Sequence, residues 1–575
     1  MLKKLLLTVV TMLAAGVPDS DAQEPLYACG AFNGWDALNP VAFTYSEGLY
    51  SLEIDFTDSD LLKISTEKGI DGNGWDDFDK GTLYPVGAIT PGMWVPLKRQ
   101  AKSDNITAPA KEQMSVTVDM DRMLIKFGEG GDVPTAWSGT LPVMFINTEG
   151  NVPVTEKETY LDATWYIDPM GLPGVEGLGS AQEPLSTQIK GRGNYTWTGF
   201  EKKPYRLKFT EKAAPLGMPK SKHFVLLAHA DDSDGFMRDE SGFTLSRILG
   251  MPWTPESRPV ELVLNGDYRG LYFLTQNIRV DKDRVNITEQ EDLTTTDVDG
   301  GWLVEIDNYD TDPHVTVFEH GDTESPIWFT YKSPEELSAE QEEYLQGQMQ
   351  AIDNAVYSPD KDGEDTPLGR LVDFDTLARY YITQEIVDDC ESFHGSCYLN
   401  RDRGPEQKWQ FGPVWDFGNA FNRRHTDKFI WQEPPFHQVW IGSIYTFPAF
   451  RSKVEEIWAW YLGFGPEELK KHLEEYAAQI DVAAKYDARR WPEYGNPDVP
   501  ERCREILSLI ESKTEWLKGQ WGSETAIEGV QGASAAPTDV YTLQGVKVLS
   551  GASEEAIRTL PAGLYITPRG KILVR

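Results

Sequence analysis

The chain has 575 residues, 40% hydrophobic and 11% aromatic, enough apolar material for roughly three or four domains and too much for a disordered chain. A formal net charge of −37 argues against binding nucleic acid or an anionic membrane through bulk electrostatics, and any polyphosphate site must assemble its own positive pocket. The 4 cysteines are too few for a disulfide framework, although Cys390 and Cys397 are close enough to pair, and the 8 histidines form no His-Glu-x-x-His pattern, which speaks against zinc catalysis.

Lys3 and Lys4 precede an apolar run over residues 5–15, which ends near Ser20-Asp21-Ala22. That order predicts a secretory signal peptide over residues 1–22 and a secreted or cell-surface protein. The run is shorter than the ~20 residues of a spanning helix, and no later stretch approaches that length, so no transmembrane segment is expected.

Residues 26–127 read as all-β: short alternating runs such as Leu49-Tyr50-Ser51-Leu52-Glu53-Ile54 are separated by Gly, Pro, Asn and Asp turns. A small sandwich is expected, with Phe32, Trp35, Trp75, Phe78 and Trp94 exposed. The opening Gly30-Ala31-Phe32-Asn33-Gly34-Trp35 resembles the start of the starch- and glycogen-binding sandwich modules of surface starch-utilisation proteins. That resemblance implies a polysaccharide partner, with Trp35 and Trp75 stacking on sugar rings; the plain alternative makes both core residues. Asp71-Gly72-Asn73-Gly74-Trp75-Asp76 starts like an EF-hand loop but has Trp at the fifth position and Asp at the sixth, and reads as a solvated acidic turn.

After a Gly-rich linker over residues 128–138, strands are expected at Leu141–Ile146, Tyr205–Phe209 and on both sides of Asn265-Gly266, a hairpin signal. Helices dominate later. Ser333-Pro334-Glu335-Glu336 reads as a capping box opening a helix with Tyr344, Leu345, Met349, Ile352 and Val356 on one face. Four more apolar stripes begin near Asp375, Phe450, Leu469 and Ile506. The tail, residues 537–575, is again β, and resembles the C-terminal sorting domains of type IX secretion, which implies export of the Gram-negative type. The fold class is therefore multidomain: an all-β sandwich (26–127), an α+β two-lobed domain (139–520), and a small all-β C-terminal domain that sorts or caps.

Phosphoryl transfer needs a cation on the phosphates, an acid to orient it, a carboxylate for Mg²⁺ and another for the acceptor hydroxyl. Lys190-Gly191-Arg192-Gly193-Asn194 leads into Lys202-Lys203-Pro204-Tyr205-Arg206, a turn and basic strand in which Lys203 and Arg206 could cradle phosphate. Glu305 lies inside the apolar strand Trp302-Leu303-Val304-Glu305-Ile306, a costly place for a carboxylate without a lysine partner. Asp416, among aromatics and near Asn419, suits a metal held by oxygens.

Arg192-Gly193-Asn194 with LysLysProTyrArgLeuLysPhe resembles the spore-coat CotH kinase-like family. So do Val225-Leu226-Leu227-Ala228, Leu264-Asn265-Gly266-Asp267-Tyr268-Arg269-Gly270, GlyGlyTrpLeuValGluIleAsp and GlyProValTrpAspPhe, in family order. The resemblance implies an atypical protein-kinase fold that uses ATP with Mg²⁺ or Mn²⁺ to phosphorylate a protein acceptor or itself. Lys203 would contact phosphate assisted by Arg206, Glu305 would orient Lys203, Asp416 would bind metal with Asn419 beside it, and Glu391 or Asp389 would orient the acceptor. The sequence departs from the family pattern at three places: Glu391 stands where an Asp is expected, Gly418 replaces a second acid, and Gln276 replaces a Glu. Those departures admit a second expectation, a non-transferring surface protein that binds glycans or a partner.

Overall fold

The computed structural model describes residues 25–523, apart from 47, 86–88, 90, 93, 121–123, 130–136, 234, 291–297, 300, 323, 364, 433 and 496. It also describes 538–574, apart from 543–546, 553, 558–559, 561–562 and 568–569. The expected signal peptide and most of the expected linker lie outside the described residues. The molecule is mixed α/β with several sheets.

The N-terminal strands form a ten-stranded sheet, nine in one path and Ile106–Thr107 pairing off it, around a main core containing Tyr50, Phe56, Leu62, Leu97, Val116 and Phe127. Trp94–Arg99 pairs through its first half with Leu124–Phe127 and through its second half with Thr82–Pro85, so it links the two parts of that path. Phe78, expected at the surface, is fully buried beside Cys29 and Ala37. The acidic turn before it closes into a short helix, Gly74–Phe78, that swings this ring inward.

A closed barrel follows, built from β1 (Val143–Thr148), β2 (Leu161–Asp168), β3 (Leu185–Gly191), β4 (Tyr205–Ala213), β5 (Ser221–Leu227), β6 (Ser257–Leu264) and β7 (Asp267–Gln276). Its order is β1-β2-β3-β4-β5-β7-β6, antiparallel throughout except where β6 returns parallel to β1. Asn265 and Gly266 join β6 to β7 with positive φ at both positions, the geometry a two-residue hairpin turn requires. Strand alternation sends Ile189, Leu207 and Phe209 into the barrel, where Phe209 stacks on Trp165 at 4.1 Å. The same alternation turns Lys190, Arg206 and Lys208 outward, on adjacent strands. On β5 and β7 the outward residues are instead Val225, Leu227, Leu271 and Phe273, which join the largest core.

That core gathers α1 (Arg238–Leu249), α2 (Ala339–Val356), α3 (Phe374–Ile386), α4 (Pro448–Leu462), α5 (Gly465–Arg490) and α6 (Val499–Trp521). They pack with a second sheet of β8 (Trp302–Asp307), β9 (His314–Phe318), β10 (Pro326–Ser333), β11 (Cys397–Arg401) and β12 (Gln410–Phe411), in the order β9-β10-β8-β11-β12. The apolar stripes expected on α2 to α6 are buried apart from half-buried Tyr344 and Leu507, each large buried side chain contributing about 1.5–3 kcal/mol. α2 begins later than expected: Ser333 ends β10, and Ser338 with Gln341 forms the capping box. Four strands, Lys547–Ala552, Thr538–Thr542, Gly563–Thr567 and Gly570–Val574, make the C-terminal sheet. Among the described residues no helix is long and apolar enough to cross a membrane.

Candidate functional site

The segment after β12 runs through buried Val414 and Trp415 to Asp416, whose φ of +59° turns its carboxylate outward. The first turn of α1 grips this corner. Arg238 Nη1 donates to the Gly418 carbonyl at 2.6 Å, and Asp239 Oδ1 accepts the Phe417 N–H at 3.0 Å. Asp232 holds Arg238 in turn, 3.1 Å from its Nε. Asp231 Oδ2 and Asp416 Oδ1 flank Gly418, 3.0 and 3.3 Å from where a side chain would begin. Burial, then the Asp416 charge, pushes both Asp231 and Asp239 up, Asp239 well above the usual carboxylate range. His229, 3.7 Å from Asp239, is pushed down to about 3 by burial and by Lys202, Arg192 and Arg238, so its imidazole is neutral.

Arg192, from the turn after β3, lies 5.7 Å above the Trp415 ring. Burial opposes its charge, and Asp416 is its largest favourable partner. Arg206 comes next on the outer face of the barrel. Beside it, burial and then Arg279, Arg206, Arg284 and Lys208 push His223 down to about 3. Arg206, Lys208 and Arg279 make no ion pair among the described residues. A concentrated positive face is therefore present on a chain of −37.

The loop between α3 and β11 brings up the acids. Asp388 is spent on Arg423 at 2.6 Å. Asp389 is buried, accepts the Glu391 N–H at 3.1 Å, and burial pushes its carboxyl well above the usual range. Glu391 is held from both sides: Asn308 Nδ2 donates to one oxygen at 2.8 Å and Asn419 Nδ2 to the other. Burial and then Asp416 raise the Glu391 pKa. Gln438 braces the loop, donating to the Cys390 carbonyl at 2.5 Å and accepting the Phe393 N–H at 3.3 Å.

Thus Asp416, Glu391, Asp389 and Asn419 come together, with Arg206 linked to them through Arg192. Three of the expected site residues make contacts that the sequence does not announce. Glu305 does not meet Lys203: its carboxylate binds Lys332 of β10 at 2.9 Å, in the cross-strand layer it shares with Tyr398. Lys203 donates to the Trp197 carbonyl at 2.8 Å and lies over that ring. Its neighbour Lys202 is the buried lysine, paired at 2.7 Å with Asp487 of α5. Asn419 is engaged on both amide atoms, its Nδ2 donating to Glu391 and its Oδ1 accepting from Asn422 at 3.1 Å, which leaves one lone pair on that oxygen. Sequence reasoning passed over Asp231, Arg238 and Asp239. Their signal was a dense run of charge, Asp231 to Glu240, directly before an apolar helix.

Among the described residues no three acidic, histidine or cysteine side chains converge as a ready-made metal cage. The donors nevertheless suit a hard divalent ion, since Mg²⁺ takes one or two carboxylates and fills its remaining positions with phosphate oxygens and water. Asp416, exposed and with Ser396 Oγ at 3.4 Å, is the carboxylate free to do this. All four cysteines are buried free thiols. Far along the chain from this site, Trp35 and Trp75 lie with ring centres 6.2 Å apart and planes tilted by 41°, and Trp75 is 39% exposed.

The outer barrel face, whose Arg206, Lys208 and Arg279 make no ion pair among the described residues, is linked through Arg192 to an outward Asp416 and a bridled Glu391, a set of groups that suits a phosphate ligand. The family model described as CotH kinase protein matches residues 189–517, more than half of the chain, and the chain belongs to that family. The match begins within β3, so the two strands that complete the barrel precede it. A search of curated proteins returned no match.

Proposed function

We propose that the chain is an exported phosphotransferase that moves the γ-phosphoryl group of ATP to a hydroxyl of a protein acceptor, or of itself, with Mg²⁺ or Mn²⁺. The single observation that carries this reading is the interaction of Arg192, which has Arg206 as its neighbour on the basic outer face of the barrel, with the outward carboxylate of Asp416. Arg192 and Arg206 bind the phosphates, since planar guanidinium groups match phosphate oxygens bidentately. Asp416 holds the ion, which when bound neutralises charge on the transferring group. Glu391, fixed by Asn308 and Asn419, orients the acceptor hydroxyl and receives its proton at a carboxylate oxygen; its raised pKa favours that. Asp389 supports the loop beneath it, Glu305 steadies Lys332, and Lys203 secures the turn through Trp197. Residues 1–22 support export.

The test is incubation of the purified chain with γ-labelled ATP and Mn²⁺ or Mg²⁺ beside Asp416→Asn. Label on the chain or an added protein, lost in the variant, is expected. No label together with no nucleotide binding by calorimetry overturns the reading.

The Trp35–Trp75 pair favours a second, compatible reading: a carbohydrate-binding surface on the N-terminal sheet, with the rings stacked on sugar faces. Retardation in polysaccharide-containing gels that is lost in Trp35→Ala and Trp75→Ala is expected. Equal mobility of all three proteins would sink it.

A further inference from the structure

We infer that Ser396 is the second protein ligand, with Asp416, of the divalent ion, in the place that the sequence assigns to Asn419. The inference rests on the phosphotransfer reading and names the ion's donors within it. Ser396 Oγ lies 3.4 Å from Asp416 Oδ2, long for a hydroxyl–carboxylate hydrogen bond. It is close to the separation of two neighbouring oxygens on one small ion, about 3 Å when each ligand distance is about 2.1 Å. Asn419 is the weaker candidate, because its Oδ1 already accepts from Asn422 and its Nδ2 is tied to Glu391.

The backbone agrees. Ser396 and Asp416 both hold left-handed φ, +51° and +59°, a conformation that non-glycine residues keep only where the surroundings enforce it. Directly after Ser396, Cys397 is locked into the sheet by pairing with Ile306. Before it, Gly395 lies against the side chain of Asn308, the residue that holds Glu391. Ser396 also stands five positions after Glu391, the spacing that separates the hydroxyl-orienting acid from the metal-binding amide in the protein-kinase catalytic loop. A serine hydroxyl is a competent ligand for Mg²⁺, as in phosphate-binding loops. Though shorter than Asn, Ser396 already places its Oγ 3.4 Å from the Asp416 carboxylate.

The test is titration of the full chain with Mn²⁺ in the presence of a non-hydrolysable ATP analogue, reading free Mn²⁺ by paramagnetic resonance. Ser396→Ala is expected to weaken Mn²⁺ affinity at least about tenfold, while Asn419→Ala stays within about threefold of wild type. Ser396→Cys is expected to lose Mn²⁺ and regain tight binding with Cd²⁺, because a thiolate prefers the softer ion, and Ser396→Ala is expected to gain nothing from Cd²⁺. Wild-type binding with an unaffected Ser396→Ala overturns this inference alone. So does failure of Cd²⁺ to restore Ser396→Cys, or phosphate found on Ser396 by mass spectrometry, which would make the hydroxyl an acceptor. A wild-type chain that takes up no Mn²⁺ overturns the phosphotransfer reading itself, and this assignment with it.

Discussion

Replacing Lys202 by Met removes one half of an ion pair that ties the loop before β4 to α5. Lys202 is fully buried and Asp487 nearly so, with Nζ and Oδ1 2.7 Å apart. At an effective dielectric of about 20 the attraction at that distance is about 6 kcal/mol. Burial works against both charges, pulling the lysine pKa down and the aspartate pKa up, so the pair as a whole is a weak source of stability. Breaking it is another matter. Asp487 would keep only the Leu271 N–H at 2.8 Å, in a buried place where Gly270, by lacking a side chain, makes room for that carboxylate. The expected loss is about 3–5 kcal/mol for Lys202→Met alone. Lys202→Met with Asp487→Leu should recover much of it, leaving about 1–3 kcal/mol for the orphaned Leu271 N–H. Urea unfolding followed by tryptophan fluorescence, with hydrogen exchange over residues 267–276, measures both. A single variant within about 1 kcal/mol of wild type, or a double variant worse than both singles, would refute the reasoning.

Gly242→Val on α1 should drive the Phe417 ring out, because a side chain there overlaps it, and weaken nucleotide–Mn²⁺ binding at least about tenfold while far-ultraviolet dichroism is kept. Arg192→Met should raise the Kd for ATP by about 1.5–3 kcal/mol, the worth of a charged hydrogen bond, measured by calorimetry. Glu319 bonds His437 and raises its pKa, and the adjacent Gln438 braces the 388–396 loop. A raised histidine stabilises fully below about pH 6.5 and loses that contribution as pH rises through its folded-state value. Hydrogen exchange of residues 388–396 should therefore quicken relative to the rest of the chain as pH rises above the ordinary histidine range, and His437→Gln should abolish that difference. Burial pushes the Cys390 and Cys397 thiols up to about 12, so neither should react with a thiol reagent at pH 8 until the chain is unfolded.

The elements were largely legible because they obey local rules. The stripes of α3 to α6 follow helical spacing, and Asn265-Gly266 marks its own hairpin. The start of α2 was misread because Ser333-Pro334 and Ser338 both carry capping chemistry, and only the pairing of Ser333 with Leu303 decides between them. Phe78 was misread because a short helix with no strong propensity turned it inward.

The sequence by itself determined the family motifs, their order, and the residue types that gather at the site: Arg192, Arg206, Glu391 and Asp416 are all in recognisable strings. It could not decide partners. Which of two adjacent lysines is buried depends on Asp487, more than 280 positions away. Which cation Glu305 holds depends on the register of β8 against β10. What Asn419 holds depends on a glutamate from another loop. Ion pairs and hydrogen bonds act over a few ångströms between groups brought together by folding, so spacing along the chain carries no record of them.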